Sequence, residues 1–373
     1  AGVMSVVPLI NIVLLTREVL SGTAMFFPAV MAVVSTIAYA AAALSIASSL
    51  FGTDAVDRTS QQSIGAFLRR PEVSSRVPSP ALAALVMAVL VPIYFVVSNG
   101  LLRYLTNVKT AVLDGADDLS LDQAVSLQIQ SMTLSAISLI LVFGGVPLLA
   151  SWFGKLELRT TFRLNRVKLG AILGAAIVGL GAWVFAHEAF VIADALGIGG
   201  VSESVLEKTK KVLEAWTRVP PWVLLATLAL TPAVIEELCF RGFLFSAIGS
   251  VTTGNRTILI TALLFGFFHV VTGNALLIER FIPSFLLGLL LGWIAHRTSS
   301  VIPGMALHFV HNGLLELLGH YHERLAWLGD TYATDAHLPI VWLGGATLII
   351  AVGITLLVVS SRRAVSVETS DAA

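Results

Sequence analysis

Long apolar runs alternate along the chain with short polar stretches that carry most of its arginine and lysine. The apolar runs fall at roughly 25–51, 80–102, 124–153, 168–190, 221–248, 256–271, 281–296, 301–318 and 339–360. A helix needs about 20 apolar residues to cross a bilayer. The pattern therefore predicts an all-α, polytopic membrane protein of about nine transmembrane helices, two or three of them short. Residues 2–15 are also apolar, but Pro8 interrupts them and they are too short for a span; they read as the tail of a helix or a re-entrant element, closed by Thr16, Arg17 and Glu18. The stretch 201–216 differs, with Val201, Val205, Val212, Leu213 and Trp216 on one face and Lys208, Lys210 and Lys211 off it. Ser204 and Glu207 have capping-box spacing there, and an amphipathic helix lying on the outer membrane surface is expected.

Composition sharpens this picture. Hydrophobic residues make up 56% and charged residues 12%, against about 25% charged in soluble domains. Acidic and basic residues balance at 23 each, so the net charge points to no nucleic acid or acidic partner. Cys239 stands alone, which excludes an internal disulfide and any multi-cysteine metal site. The chain opens at Ala1 inside an apolar run with no signal peptide, so a fragment, a processed form or a trimmed chain is expected.

Lys155, Arg159, Arg163, Arg166 and Lys168 crowd one loop; Arg58, Arg69, Arg70, Arg76, Arg256, Arg297, Arg362 and Arg363 fall on the same side. Thirteen basic residues collect there against nine opposite, with Arg241 inside a span. The positive-inside rule makes that side cytoplasmic, and the C-terminus with it. The expected setting is a cell membrane, the bacterial inner membrane in particular. The expected organisation is a transmembrane region over 1–153, a basic cytoplasmic linker over 154–167, a second helical bundle over 168–360 and a polar cytoplasmic tail over 361–373.

Candidate chemistry lies in the second half. The stretch Thr231-Pro-Ala-Val-Ile-Glu-Glu-Leu-Cys-Phe-Arg-Gly242 places two carboxylates and an arginine inside an apolar run. Ionised groups at membrane depth are costly, and an intramembrane carboxylate marks a functional site. Glu237 and Arg241 are four apart and share one face, where they can pair. Glu236 projects about 100° away and has no partner on its own helix. Pro232, one turn earlier, withholds an N–H from the helix ladder and leaves a carbonyl near the site to find another donor.

Two further runs add to this. Phe265-Gly-Phe-Phe-His269 ends in a histidine, and His308-Phe-Val-His311-Asn312 sets His308 and Asn312 on one face. Imidazole and carboxamide can both donate to a developing oxyanion, although a His/Asn pair also serves as glue between membrane helices. His311 projects off that face and is left out. A carboxylate free to take a proton from water can act as a general base, so the three runs together resemble the parts of a hydrolase.

These motifs resemble those of the CAAX-prenyl-endopeptidase and bacteriocin-processing intramembrane proteases, the CPBP (ABI) family. Glu236-Glu237-x-x-x-Arg241, Phe265-x-x-x-His269 and His308-x-x-x-Asn312 match its three motifs in order, over roughly 165–360. The resemblance implies a glutamate-dependent endopeptidase in a CPBP helical bundle. Glu236 and His269 would activate water, His308 and Asn312 would form the oxyanion hole, and Glu237 and Arg241 would shape the site. It implies no metal and no cofactor, and a peptide or membrane-protein substrate met in the lipid bilayer.

Residues 1–153 are similar, more loosely, to the permease subunit of ABC-2-type exporters of the sodium-efflux kind, through Pro8-Leu-Ile-Asn11 to Thr16-Arg17 and the Ala-rich run ending near Phe51. That resemblance implies a separate ABC ATPase subunit, since no GxxxxGK[ST] loop occurs. It leaves a second reading open, a transport subunit whose protease-like half is a scaffold.

Zinc is a further alternative, with Glu236, His269 and His308 as ligands, but the chain has no HExxH. His320, His322, His337, Asp330 and Asp335 read as an ordinary polar loop. One tension remains at this level. Counting 1.5 Å per residue puts Glu236 near mid-membrane, His269 towards the outer face and His308 near the inner face.

Overall fold

The computed structural model describes residues 10–20, 22, 26–50, 73–104, 121–195, 216–271, 280–322, 324–325 and 337–361. The expected amphipathic helix up to 215, Arg58, Arg69 and Arg70 of the first basic loop, Asp330 and Asp335, and the tail from 362 lie outside the described residues.

Among the described residues the fold is all-helical, with one isolated bridge between Ser75 and Leu156. The helices are α1 (Ile10–Leu20), α2 (Phe26–Leu50), α3 (Pro80–Tyr104), α4 (Leu121–Phe153) and α5 (Leu169–Ala195). They continue as α6 (Pro221–Gly249), α7 (Gly254–Val271), α8 (Phe281–Thr298), α9 (Ile302–His320) and α10 (Ile340–Ser361). Each of the nine apolar runs is thus helical.

Six of these helices, α3, α4, α5, α6, α8 and α10, are long and apolar enough to cross a membrane, and the chain is accordingly a membrane protein. Shorter apolar stretches occur in α2 (Pro28–Leu44) and α7 (Gly254–Val270). The expected count of nine spans is therefore not confirmed: six candidate spans are found among the described residues. Polar side chains on α9 keep it out of that set. The run closed by Thr16, Arg17 and Glu18 also differs from expectation, because α1 continues through all three. Asn11 anchors α1: its Nδ2 donates to Ala32 O (3.1 Å), Ser35 Oγ (3.0 Å) and Thr36 Oγ1 (2.9 Å) on α2.

Small residues let the helices approach closely, as in other membrane bundles. A Cβ on Gly174 of α5 would lie 2.6 Å from Leu357 N and 2.7 Å from Gly353 O of α10. The largest apolar core joins helices from both sides of the basic loop. Leu90 of α3, Phe143 of α4, Phe240 and Phe243 of α6, and Phe265 and Phe268 of α7 pack together there, all buried. Phe143 lies 4.3 Å from Phe268 between ring centroids, and Phe240 meets Phe265 edge-on at 5.2 Å.

The packing of the basic loop removes the conflict in depth. Gly242 backs onto it so tightly that a Cβ would lie 3.0 Å from Phe162 Cα and 3.1 Å from its carbonyl oxygen. The loop thus reaches α6 seven residues before the helix ends at Gly249, about 10 Å along the axis. The start of α9 is tied to the same loop. Val301 N donates to Arg163 O (3.2 Å), and Ser300 Oγ to Asn165 O (2.8 Å). Arg163 also reaches Ala295 O of α8 at 2.8 Å, and burial pushes its guanidinium below its usual pKa. With α9 beginning that deep, His308 rises to the level of Glu236.

Candidate active site

Helix α6 is wound irregularly where it carries the carboxylates. Leu225–Leu230 and Glu237–Leu244 are π-helical, flanking the α-helical turns Thr231–Glu236. Such segments occur often at functional sites. Pro232 has no N–H for the Leu228 carbonyl four residues back, and Asn312 Nδ2 of α9 donates to that carbonyl at 3.3 Å. The proline thereby fixes Asn312 against α6.

Glu237 and Arg241 form the buried anchor. Arg241 Nη1 donates to Glu237 Oε1 at 2.8 Å, and neither side chain is exposed to any degree. Arg241 Nη2 reaches Gly288 O of α8 at 3.2 Å, and its guanidinium lies 4.1 Å over the Phe265 ring of α7. One arginine thus joins three helices. Gly304 on α9 leaves room for the carboxylate, since a Cβ there would stand 2.9 Å from Glu237 Oε2.

The sequence pairs Glu237 with Arg241 alone, but in the fold it has a second partner. His308 Nδ1 donates to Glu237 Oε1 at 3.3 Å, which turns Nε2 towards Glu236 Oε2, 4.0 Å away. His269 Nδ1 donates to Phe265 O at 2.9 Å, one turn back on its own helix, and its Nε2 lies 3.8 Å from the same Oε2. Two imidazoles on different helices thus converge on one carboxylate oxygen. That oxygen is buried and has no hydrogen-bond partner among the described residues. Both rings are oriented by a bond through Nδ1, which fixes the tautomer of a neutral imidazole.

Glu236, His269, His308 and Asn312 line one cavity of about 680 Å³, within the usual range of ligand pockets. All four are thus brought together, with Glu237 and Arg241 behind them. Other polar residues on the same wall were not found from the sequence: Tyr94 of α3, Arg280 before α8, and Glu316 of α9. Glu316 continues the His308–Asn312 spacing by four residues, a signal that was present. Tyr94 is one hydroxyl within the apolar run of α3 and gives none. His311, set aside by its position on α9, is buried on the cavity wall, and its Nδ1 has no partner among the described residues. Among the described residues no group of three or more His, Cys, Asp or Glu is arranged to hold a metal ion.

Residues 218–314 match the family model described as type II CAAX prenyl endopeptidase, Rce1-like. The matched segment runs from the approach to α6 into α9 and contains Glu236, Glu237, Arg241, His269, His308 and Asn312. This part of the chain is similar to a CAAX-type intramembrane protease domain, a hydrolase. No curated protein and no solved structure matches the chain. The permease resemblance of residues 1–153 finds no support in these comparisons, and neither does the bacteriocin-processing (ABI) branch of the family.

Proposed function

We propose that the protein is an intramembrane endopeptidase in which Glu236 activates water. The observation that carries the reading is the convergence of His269 Nε2 and His308 Nε2 within 3.8 and 4.0 Å of Glu236 Oε2 on the wall of a 680 Å³ cavity. A water hydrogen-bonded to Glu236 and His269 loses a proton to the carboxylate as its oxygen adds to a peptide carbonyl. Asn312 donates to the resulting oxyanion through its carboxamide, and His308 does so through Nε2–H when the imidazole carries a second proton. When the C–N bond breaks, Glu236 returns its proton to the leaving amine. Glu237 and Arg241 hold the geometry.

The substrate class is a peptide or membrane-associated chain presented from the bilayer. The protein is read as a multi-pass component of a bacterial inner membrane, its basic loop and C-terminus cytoplasmic. The ATPase partner belongs to the permease resemblance and has no part in this reading. The test is reconstitution of the full chain in proteoliposomes with a pool of internally quenched peptides, products being identified by mass spectrometry. Wild type is expected to release defined fragments, and His269→Ala to slow this by two orders of magnitude or more. A pool left intact by wild type would remove the reading.

A further inference from the structure

An oxyanion is held by hydrogen-bond donors, and Glu236, His269, His308 and Asn312 offer few of them. His308 commits Nδ1–H to Glu237, whose Oε1 also accepts from Arg241 Nη1. A neutral His308 therefore shows the cavity a bare Nε2, an acceptor. His269 commits Nδ1–H to Phe265 O and likewise presents an acceptor. Glu236 is an acceptor when ionised. Asn312 gives one N–H to Leu228 O, which leaves one for a substrate. With both imidazoles neutral, these groups set three acceptors beside a single carboxamide N–H, and a second neutral donor would complete the hole.

We propose that the hydroxyl of Tyr94 supplies the missing donor and is a catalytic residue of the site. Tyr94 stands on α3, well outside the matched segment 218–314. Its ring meets Phe143 edge-on at 5.6 Å and Phe268, the residue before His269, at 6.3 Å. It lines the same cavity as Glu236 and lies within electrostatic reach of that carboxylate. Its hydroxyl has no hydrogen-bond partner among the described residues. Of the other hydroxyls on the wall, Thr227 spends its proton on Val223 O, and Ser135 and Ser284 sit on short side chains. The phenol alone combines length, a free proton and a rigid aromatic seat.

The inference rests on the endopeptidase reading and completes its chemistry. In the addition step a water O–H bond breaks and its proton passes to Glu236. The water oxygen forms the new C–O bond, and the carbonyl π pair moves onto oxygen, where Tyr94 O–H and Asn312 N–H donate to it. On collapse that pair returns, the C–N bond breaks, and the amine takes the proton from Glu236. Tyr94 begins and ends the cycle as a neutral phenol.

The test is Tyr94→Phe in the full chain, reconstituted and assayed with a quenched peptide that wild type cleaves, alongside Glu236→Gln. Loss of one such donor lowers kcat by about 100-fold, and KM is expected to stay near its wild-type value. A kcat within twofold of wild type, or a loss carried by KM alone, overturns the inference. Should the phenylalanine variant fold poorly, 3-fluorotyrosine at position 94 keeps both shape and hydroxyl. Activity retained with it supports the hydroxyl's role, and a loss equal to that of phenylalanine refutes it. Cleavage abolished by Glu236→Gln but untouched by Tyr94→Phe removes this inference alone; cleavage untouched by Glu236→Gln removes the function with it.

Discussion

Replacing Arg241 with methionine is expected to be among the most damaging single changes to stability, and its partner change to reverse much of the damage. The guanidinium has no exposure; it pairs with Glu237 at 2.8 Å, donates to Gly288 O at 3.2 Å and covers Phe265. Methionine fills most of the volume but strands the Glu237 carboxylate, with His308 as its remaining polar partner. Breaking a buried pair from one side costs about 3–5 kcal/mol, a large share of the roughly 5–15 kcal/mol that holds a protein folded. Glu237→Gln strands the arginine instead and costs a similar amount. In the double variant no charge is stranded, and glutamine Oε1 can still accept from His308. The cycle is expected to show a coupling of about 2–3 kcal/mol. The fully buried Cys239, the sole cysteine, provides the assay: its reaction with a thiol-activated fluorophore during a thermal ramp in detergent reports unfolding. Additive effects of the two single changes, with the double variant the least stable of the three, would refute the argument that the pair stabilises chiefly by mutual neutralisation.

Three other outcomes follow from the same structure. Gly242→Ala drives a Cβ to 3.0 Å from the Phe162 backbone and is expected to cost about 1–3 kcal/mol as overpacking, read as a lower thermal midpoint. Asn312→Ala removes the bond to Leu228 O, worth about 0.6 kcal/mol in membrane helices. It should therefore lower the midpoint only slightly while cutting cleavage by about 100-fold; equal and small effects on both would make Asn312 a packing residue. Titration with EDTA and phenanthroline is expected to leave cleavage unchanged, whereas complete loss restored by zinc would recast Glu236, His269 and His308 as ligands.

The sequence makes the helices legible because a membrane enforces long apolar runs, and all nine runs fold as helices. It is less informative about which of them cross, since α7 is short and α9 carries His308, His311, Asn312, Glu316 and His320 among its apolar residues. The polar groups of the site stand out for the same reason: charge is rare inside such runs, so Glu236, Glu237 and Arg241 are conspicuous. Their mutual depth was not legible. It depends on the basic loop rising to Gly242, a close contact made possible by a missing side chain and visible only in three dimensions. The second partner of Glu237 also comes from tertiary packing, because His308 lies 71 residues away. Tyr94 is the extreme case, a single hydroxyl on a remote helix that no local spacing marks.

The central claim is that Glu236 takes the proton from the attacking water, and the most direct measurement is the cleavage rate of Glu236→Gln. The change keeps the size of the side chain and its place between His269 and His308, but removes the base. The account predicts that a reconstituted variant with wild-type thermal stability releases no fragment above background from a peptide that wild type cleaves. Cleavage by that variant within tenfold of wild type would contradict it.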